Sequence, residues 1–145
     1  MFLDASAIVA ILSNEEDADL LIAKIEEAAK PIYYSSLSIF EAVISLARKK
    51  RVGALGHQVP IPPYLIDLAQ QHVEVFIEAI GAKELTIDSA MHRTAINACR
   101  TYGGVVAHPA RLNFGDCFSY ACAKAHRLPL LFKGEDFSLT DIERA

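Results

Sequence analysis

The feature that most narrows the fold is an alternation of short, strand-like apolar runs with longer stretches of helical spacing. Met1 to Leu3 opens the chain as a brief apolar run, and Asp4-Ala5-Ser6 follows before Ile8, Ile11 and Leu12 take up helical spacing. This predicts a strand ending at Asp4 and a helix starting near Ser6. Acidic residues from Asn14 to Asp19 then suit the first turn of a second helix. That helix turns Leu20, Leu21 and Ile25 inward and ends near Lys30-Pro31. Pro31 to Tyr34 reads as a second strand, rich in β-favouring types.

The pattern repeats along the chain. Ser35 to Arg51 predicts an amphipathic helix with Leu37, Phe40, Ile44 and Ala47 on one stripe and Gly53 as its stop. Gly53, Gly56, Pro60, Pro62 and Pro63 mark 53–64 as a long loop. Leu65 to Ile80 predicts a helix, Glu84 to Ile87 a third strand, and Asp88 to Tyr102 another helix. Asp116 to His126 predicts a helix with Cys117, Tyr120 and Ala121 inward, and Leu128 to Phe132 a last, buried strand. Strands separated by helices of crossover length predict an α/β fold: a parallel sheet sandwiched by helices in three layers. At 145 residues, with neither linker nor repeat, 1–145 reads as a single domain.

Composition excludes several classes. With 52% apolar and 22% charged residues the chain is not a disordered or low-complexity one. A net charge of -4 excludes a uniformly basic nucleic-acid coat, though not a local basic patch. Cys99, Cys117 and Cys122 are an odd set without C-x-x-C spacing, expected as reduced core thiols. No apolar run approaches the roughly 20 residues that span a bilayer, and the acidic start is unlike a signal peptide. The expected setting is therefore soluble and cytoplasmic, with no membrane partner.

In open parallel sheets, ligands sit beyond the carboxyl ends of the strands. Asp4, Asp88 and Asp136 fall after predicted strands, Asp116 at a helix start, and Glu41 within the helix after the second strand. Each has a plain structural alternative. Asp88 reads as a helix cap, Asp116 as a cap or a site residue, and Asp136 as a turn residue or a site residue. Ser38-Ile39-Phe40-Glu41 fits a capping box, unless Ser35 or Ser36 caps the helix and frees Glu41. Asp4 is harder to explain as structure, because strands are depleted in Asp. The five histidines lack zinc spacing, and there is no nucleophile elbow, P-loop or dinucleotide fingerprint. Arg48-Lys49-Lys50-Arg51 suits a helix C-terminus, with phosphate contact as the alternative.

Carboxylates gathered at one edge repel one another unless a cation sits among them. An oxygen-only set suits Mg²⁺ or Mn²⁺, and an ion that keeps open positions suits phosphodiester hydrolysis. At this point the sequence resembles a family. Phe2-Leu3-Asp4-Ala5-Ser6-Ala7, Leu37-Ser38-Ile39-Phe40-Glu41, Asn113-Phe114-Gly115-Asp116-Cys117 and Leu131 to Phe137 together resemble the PIN domain, and most closely the VapC toxins of toxin–antitoxin pairs. The resemblance implies a Mg²⁺- or Mn²⁺-dependent ribonuclease acting on RNA, often tRNA. It further implies homodimers and inhibition by a VapB-type antitoxin.

By the same resemblance Asp4, Glu41, Asp116 and Asp136 form the acidic quartet. Asp4 and Asp116 are the metal ligands, with Asp136 assisting directly or through water and Glu41 positioning metal or water. Ser6 supports the first acid, and Glu135 is a neighbour able to replace Asp136. RNA contact falls to Arg48, Lys49 and Arg51, with Lys133 or Arg111. Two departures are the long Pro-rich 52–64 segment and the mildly negative charge. Two rival readings remain: an aspartyl-nucleophile phosphatase or dehalogenase built on Asp4, and a partner-binding module without chemistry.

Overall fold

The computed structural model describes residues 1–29 and 31–145. Its elements, in chain order, are β1 (Phe2–Leu3), α1 (Ala5–Leu12), α2 (Ala18–Glu26), β2 (Tyr33–Tyr34), α3 (Ser36–Leu55), α4 (Pro63–Ala79), β3 (Lys83–Glu84), α5 (Met91–Tyr102), α6 (Phe114–His126) and β4 (Leu130–Leu131). Short 3₁₀ turns follow at Gly104–Val106 and Asp136–Leu139. The strands form one sheet in the order β3-β2-β1-β4, and every pairing is parallel. Phe2 pairs with both Tyr33 and Leu130, and Leu3 with Leu131.

The central two-residue strands β1 and β4 hold their places because successive side chains point to opposite faces, each buried, whereas β2 is half-buried and the edge strand β3 exposed. Leu3 and Leu131 face a core built with Ile8, Leu21, Ile25, Val43, Leu46 and Val73 from α1 to α4. Phe2 and Leu130 face a second core with Met91, Ala95, Tyr120 and Cys122 from α5 and α6 and Leu112 from the connection between them. The expected three-layer α/β/α arrangement is therefore present. The chain lays β1, β2 and β3 outward to one side and then returns to place β4 on the other side of β1. The strand order thus switches between β1 and β4, where a parallel sheet opens a crevice for ligands.

Several local expectations are corrected. Gly53 does not stop its helix: α3 continues to Leu55, and Gly56, at φ 86°, caps it instead. A left-handed residue is where glycine terminates helices at little cost. The expected 53–64 loop shrinks accordingly to 56–62, and Pro63 opens α4 at its first position. The buried face of α3 is Ser38, Ala42, Val43, Leu46 and Ala47, and Phe40 is 65% exposed. The expected stripe is rotated because two serines occupy core positions: Ser35 and Ser38 are buried with their hydroxyls 2.9 Å apart, satisfying each other. Leu20 also points outward while Leu21 and Ile25 are buried. Helix α2 ends at Glu26, and the expected end at Lys30 lies outside the described residues.

Candidate active site

Each acid reaches the crevice by a separate local rule. Asp4 leaves β1 in extended geometry and caps α1, its Oδ2 accepting the Ser6 N–H at 2.8 Å and the Ser6 hydroxyl at 2.5 Å. The Ser6 hydroxyl in turn accepts the Lys133 N–H at 3.0 Å, tying the start of α1 to the turn after β4. Asp116 completes a capping box: its Oδ2 accepts the Asn113 N–H at 2.8 Å, and Asn113 Oδ1 accepts the Asp116 N–H at 3.1 Å. Ser35 caps α3 through the Ser38 N–H at 3.2 Å. The Ser38-to-Glu41 capping box is therefore not used, and Glu41 is free to point along the helix into the crevice.

Asp4, Glu41, Asp116 and Asp136 all line one cleft of about 410 Å³, together with Ser6, Glu15, Ser45, Lys49, Asn113 and Lys133. Asp136 stands exposed at its rim, and Glu135, equally exposed, is not part of the lining. Asp88 is excluded as well. Its Oδ1 accepts the Ala90 and Met91 N–H groups at 2.7 and 3.0 Å, a cap beyond the edge strand β3.

The basic run divides. Arg48, Lys49 and Arg51 line a second hollow that shares Ser45 and Lys49 with the acid cleft. Arg51 is drawn to the 56–62 loop, where Nη1 donates to the His57 carbonyl at 2.5 Å and the Val59 carbonyl at 2.9 Å. Lys133 is in the cleft wall; Arg111 is exposed and outside it.

The electrostatics follow from burial. Asp4 is 3% exposed, and its Oδ1 has no hydrogen-bond partner. A buried, unpartnered carboxylate oxygen is costly unless a cation or donor meets it. Burial, followed by the charges of Asp4 and Asp116, pushes Glu41 from 4.5 up to about 7. Burial also raises Asp116 from 3.8 to about 6. The Asn113 N–H opposes that rise, and the Asp4 and Asp136 charges add to it. Three acids and an orphaned oxygen at one spot are the arrangement a hard cation relieves.

The donor set fits Mg²⁺ or Mn²⁺, being all oxygen with no His or Cys in the lining. Among the described residues no three such side chains close into a cage by themselves. An open site of this kind suits an ion that retains waters and leaves room for phosphate.

Two residues, Gly115 behind the cleft acids and Glu15 in the cleft lining, carry roles that motif reading misses. Gly115 is buried in the first turn of α6, and a Cβ there would lie 2.5 Å from the Glu41 carboxyl carbon. The glycine leaves room for the Glu41 carboxylate in its present position, which any side chain at 115 would displace. A glycine inside a helix, where alanine is favoured, is a signal for that contact. Glu15 has no motif around it and is visible only through its partners.

The rival chemistries lose ground on the same geometry. An aspartyl nucleophile must present a free oxygen to substrate, whereas Asp4 Oδ2 is already held twice by Ser6. The cysteines are free, and burial raises Cys117 to about 12 and Cys122 to about 11, far from a reactive thiolate.

These features define a class: a parallel α/β protein with a multi-carboxylate cleft at the switch point of its sheet. The chain belongs to the PIN domain family, whose model matches residues 1–143, and within it to the VapC ribonucleases. It is 43% identical over 141 residues to a VapC ribonuclease of Rhizobium meliloti, covering 97% of this chain and 98% of the relative. It is 36% identical over 145 residues to ribonuclease VapC42 of Mycobacterium tuberculosis, covering 100% and 98%. Its fold is similar to the crystal structure of M. tuberculosis VapC20, described as a sarcin-ricin-loop-cleaving toxin. The TM-score there is 0.67 at 13% identity, over 99% of this chain and 97% of that one.

Proposed function

We propose that the chain is a Mg²⁺- or Mn²⁺-dependent endoribonuclease toxin, one domain over 1–145, acting in the cytoplasm on RNA. Its expected substrate is tRNA, its expected assembly a homodimer, and its inhibitor a VapB-type antitoxin. Family membership supports the toxin class and its partner. Among the described residues no helix is long and apolar enough to cross a membrane. The observation that carries the chemistry is that four carboxylates from four parts of the chain line one cleft, one of them, Asp4, with its buried Oδ1 unpartnered.

In this reading Asp4 and Asp116 hold the divalent ion, Asp136 assists from the rim, and Glu41 orients ion or water. Ser6 fixes Asp4, and Arg48, Lys49 and Arg51 attract the RNA backbone. A bound ion lowers the pKa of water and offsets charge on the phosphoryl oxygens. The cleft acids align water for attack on phosphorus. The P–O3′ bond breaks, leaving a 3′-hydroxyl and a 5′-phosphate.

The test is expression of the protein alone with sequencing of cellular RNA 5′ ends. A discrete new tRNA end that disappears with Asp116→Asn is the expected result. Full activity of both Asp4→Asn and Asp116→Asn on RNA with Mg²⁺ would overturn the proposal.

A further inference from the structure

Glu15 bridges the two cations of the cleft. It lies in the turn between α1 and α2, where its N–H donates to the Ala10 carbonyl at 3.0 Å. Its Oε1 accepts Lys49 from α3, and its Oε2 accepts Lys133 from the turn after β4. Among the described residues that line the cleft, Lys49 and Lys133 are the only cations. They come from different elements and would repel each other on convergence. A carboxylate with one oxygen for each ammonium permits it.

Each ammonium has three N–H donors and gives one to Glu15. Asp17 makes a longer ion pair with Lys133 at 3.9 Å without taking a hydrogen bond from it. Donors are therefore left over on both lysines. The side chains of Lys49 and Lys133 are 49% and 32% exposed, so those donors can be reached from outside, whereas Glu15 is 20% exposed. The cleft otherwise presents four acids, which repel a polyanion.

We infer that Glu15 is a positioning residue, setting Lys49 and Lys133 as a two-ammonium bracket for an RNA backbone phosphate beside the scissile bond. The inference rests on the ribonuclease reading and extends it to how the strand is held. Free lysine side chains lose much rotamer entropy when they close on a ligand. A bridge that orders them beforehand removes part of that loss. The bracket takes any nucleotide, because a phosphate carries no sequence information.

The experiment measures binding of a single-stranded RNA oligonucleotide by fluorescence anisotropy in EDTA, across a salt series. Lys49→Met and Lys133→Met each reduce the slope of log affinity against log salt by about 0.7. Glu15→Asp keeps the charge but is one methylene too short to span both lysines, and weakens binding about fivefold. In the Lys49→Met/Lys133→Met background the same Asp substitution has no further effect. With Mg²⁺ present, the Glu15→Asp loss falls in KM more than in kcat.

Wild-type binding by Glu15→Asp, or an equal loss in the double-Met background, overturns the bracket. Binding requires no turnover, so the two readings fail separately. Weakened binding without any wild-type cleavage in Mg²⁺ or Mn²⁺ supports the bracket and overturns the ribonuclease. Asp116-dependent cleavage with an unaltered Glu15→Asp affinity does the reverse.

Discussion

Replacing Glu41 with glutamine should stabilise the metal-free protein at alkaline pH and leave it unchanged in acid. Glu41 is pushed from 4.5 to about 7 by burial and by the neighbouring charges of Asp4 and Asp116. Between those values the folded chain binds more protons than the unfolded one. Stability therefore falls as pH rises through this window, and the loss is complete above about pH 7. At about 1.36 kcal/mol per pH unit the rise sets an upper bound of about 3.4 kcal/mol. Partial exposure of the side chain and solvent screening reduce this to about 1.5 kcal/mol.

Glutamine keeps the shape and removes the charge, so it recovers that amount at pH 8. For a chain of this length the gain is about 3–6 °C in Tm. Differential scanning fluorimetry in EDTA at pH 4.5 and pH 8 measures it. Saturating Mg²⁺ should then stabilise the wild type more than the glutamine variant, because the ion relieves the same repulsion. Equal melting of the two proteins at pH 8, or an equal gain at pH 4.5, refutes the electrostatic account.

Gly115→Ala forces a Cβ against the Glu41 carboxylate. It should cost about 1–3 kcal/mol and suppress cleavage, and pairing it with Glu41→Ala should restore the melting temperature but not the activity. Ser6→Ala removes the second donor to Asp4 Oδ2 and the acceptor of the Lys133 N–H. Isothermal calorimetry should show Mn²⁺ affinity lowered about tenfold, with stability down about 1–2 kcal/mol. Arg51→Ala releases the His57 and Val59 carbonyls, so limited proteolysis should cut the 56–62 loop faster while α3 and α4 stay protected.

The sequence exposed those parts of the molecule whose cause is local. Asp4 is legible because strands are depleted in Asp and the switch-point rule says where it points, but its second role as the N-cap of α1 was not read from the sequence. Asp116 is only half legible: capping and facing the cleft are usually alternatives, whereas here one oxygen caps Asn113 and the carboxylate still lines the site. The inward face of α3 was hidden because Ser35 and Ser38 satisfy each other in the core while Phe40 points outward. Gly53 misled because a helix interior tolerates one glycine at modest cost. Glu15 and Gly115 depend on side chains 34 and 74 positions away, and no spacing rule connects such residues before the chain is folded.

The hydroxyl of Ser6 works as a rivet through two plates. On one side it steadies the Asp4 carboxylate, and on the other it holds the backbone at Lys133. The cleft acid Asp4 and the turn that carries Lys133 are thus fastened at a single point. Any shift of that turn is therefore felt at the Asp4 carboxylate through one shared hydroxyl, although the two lie more than a hundred residues apart in the chain.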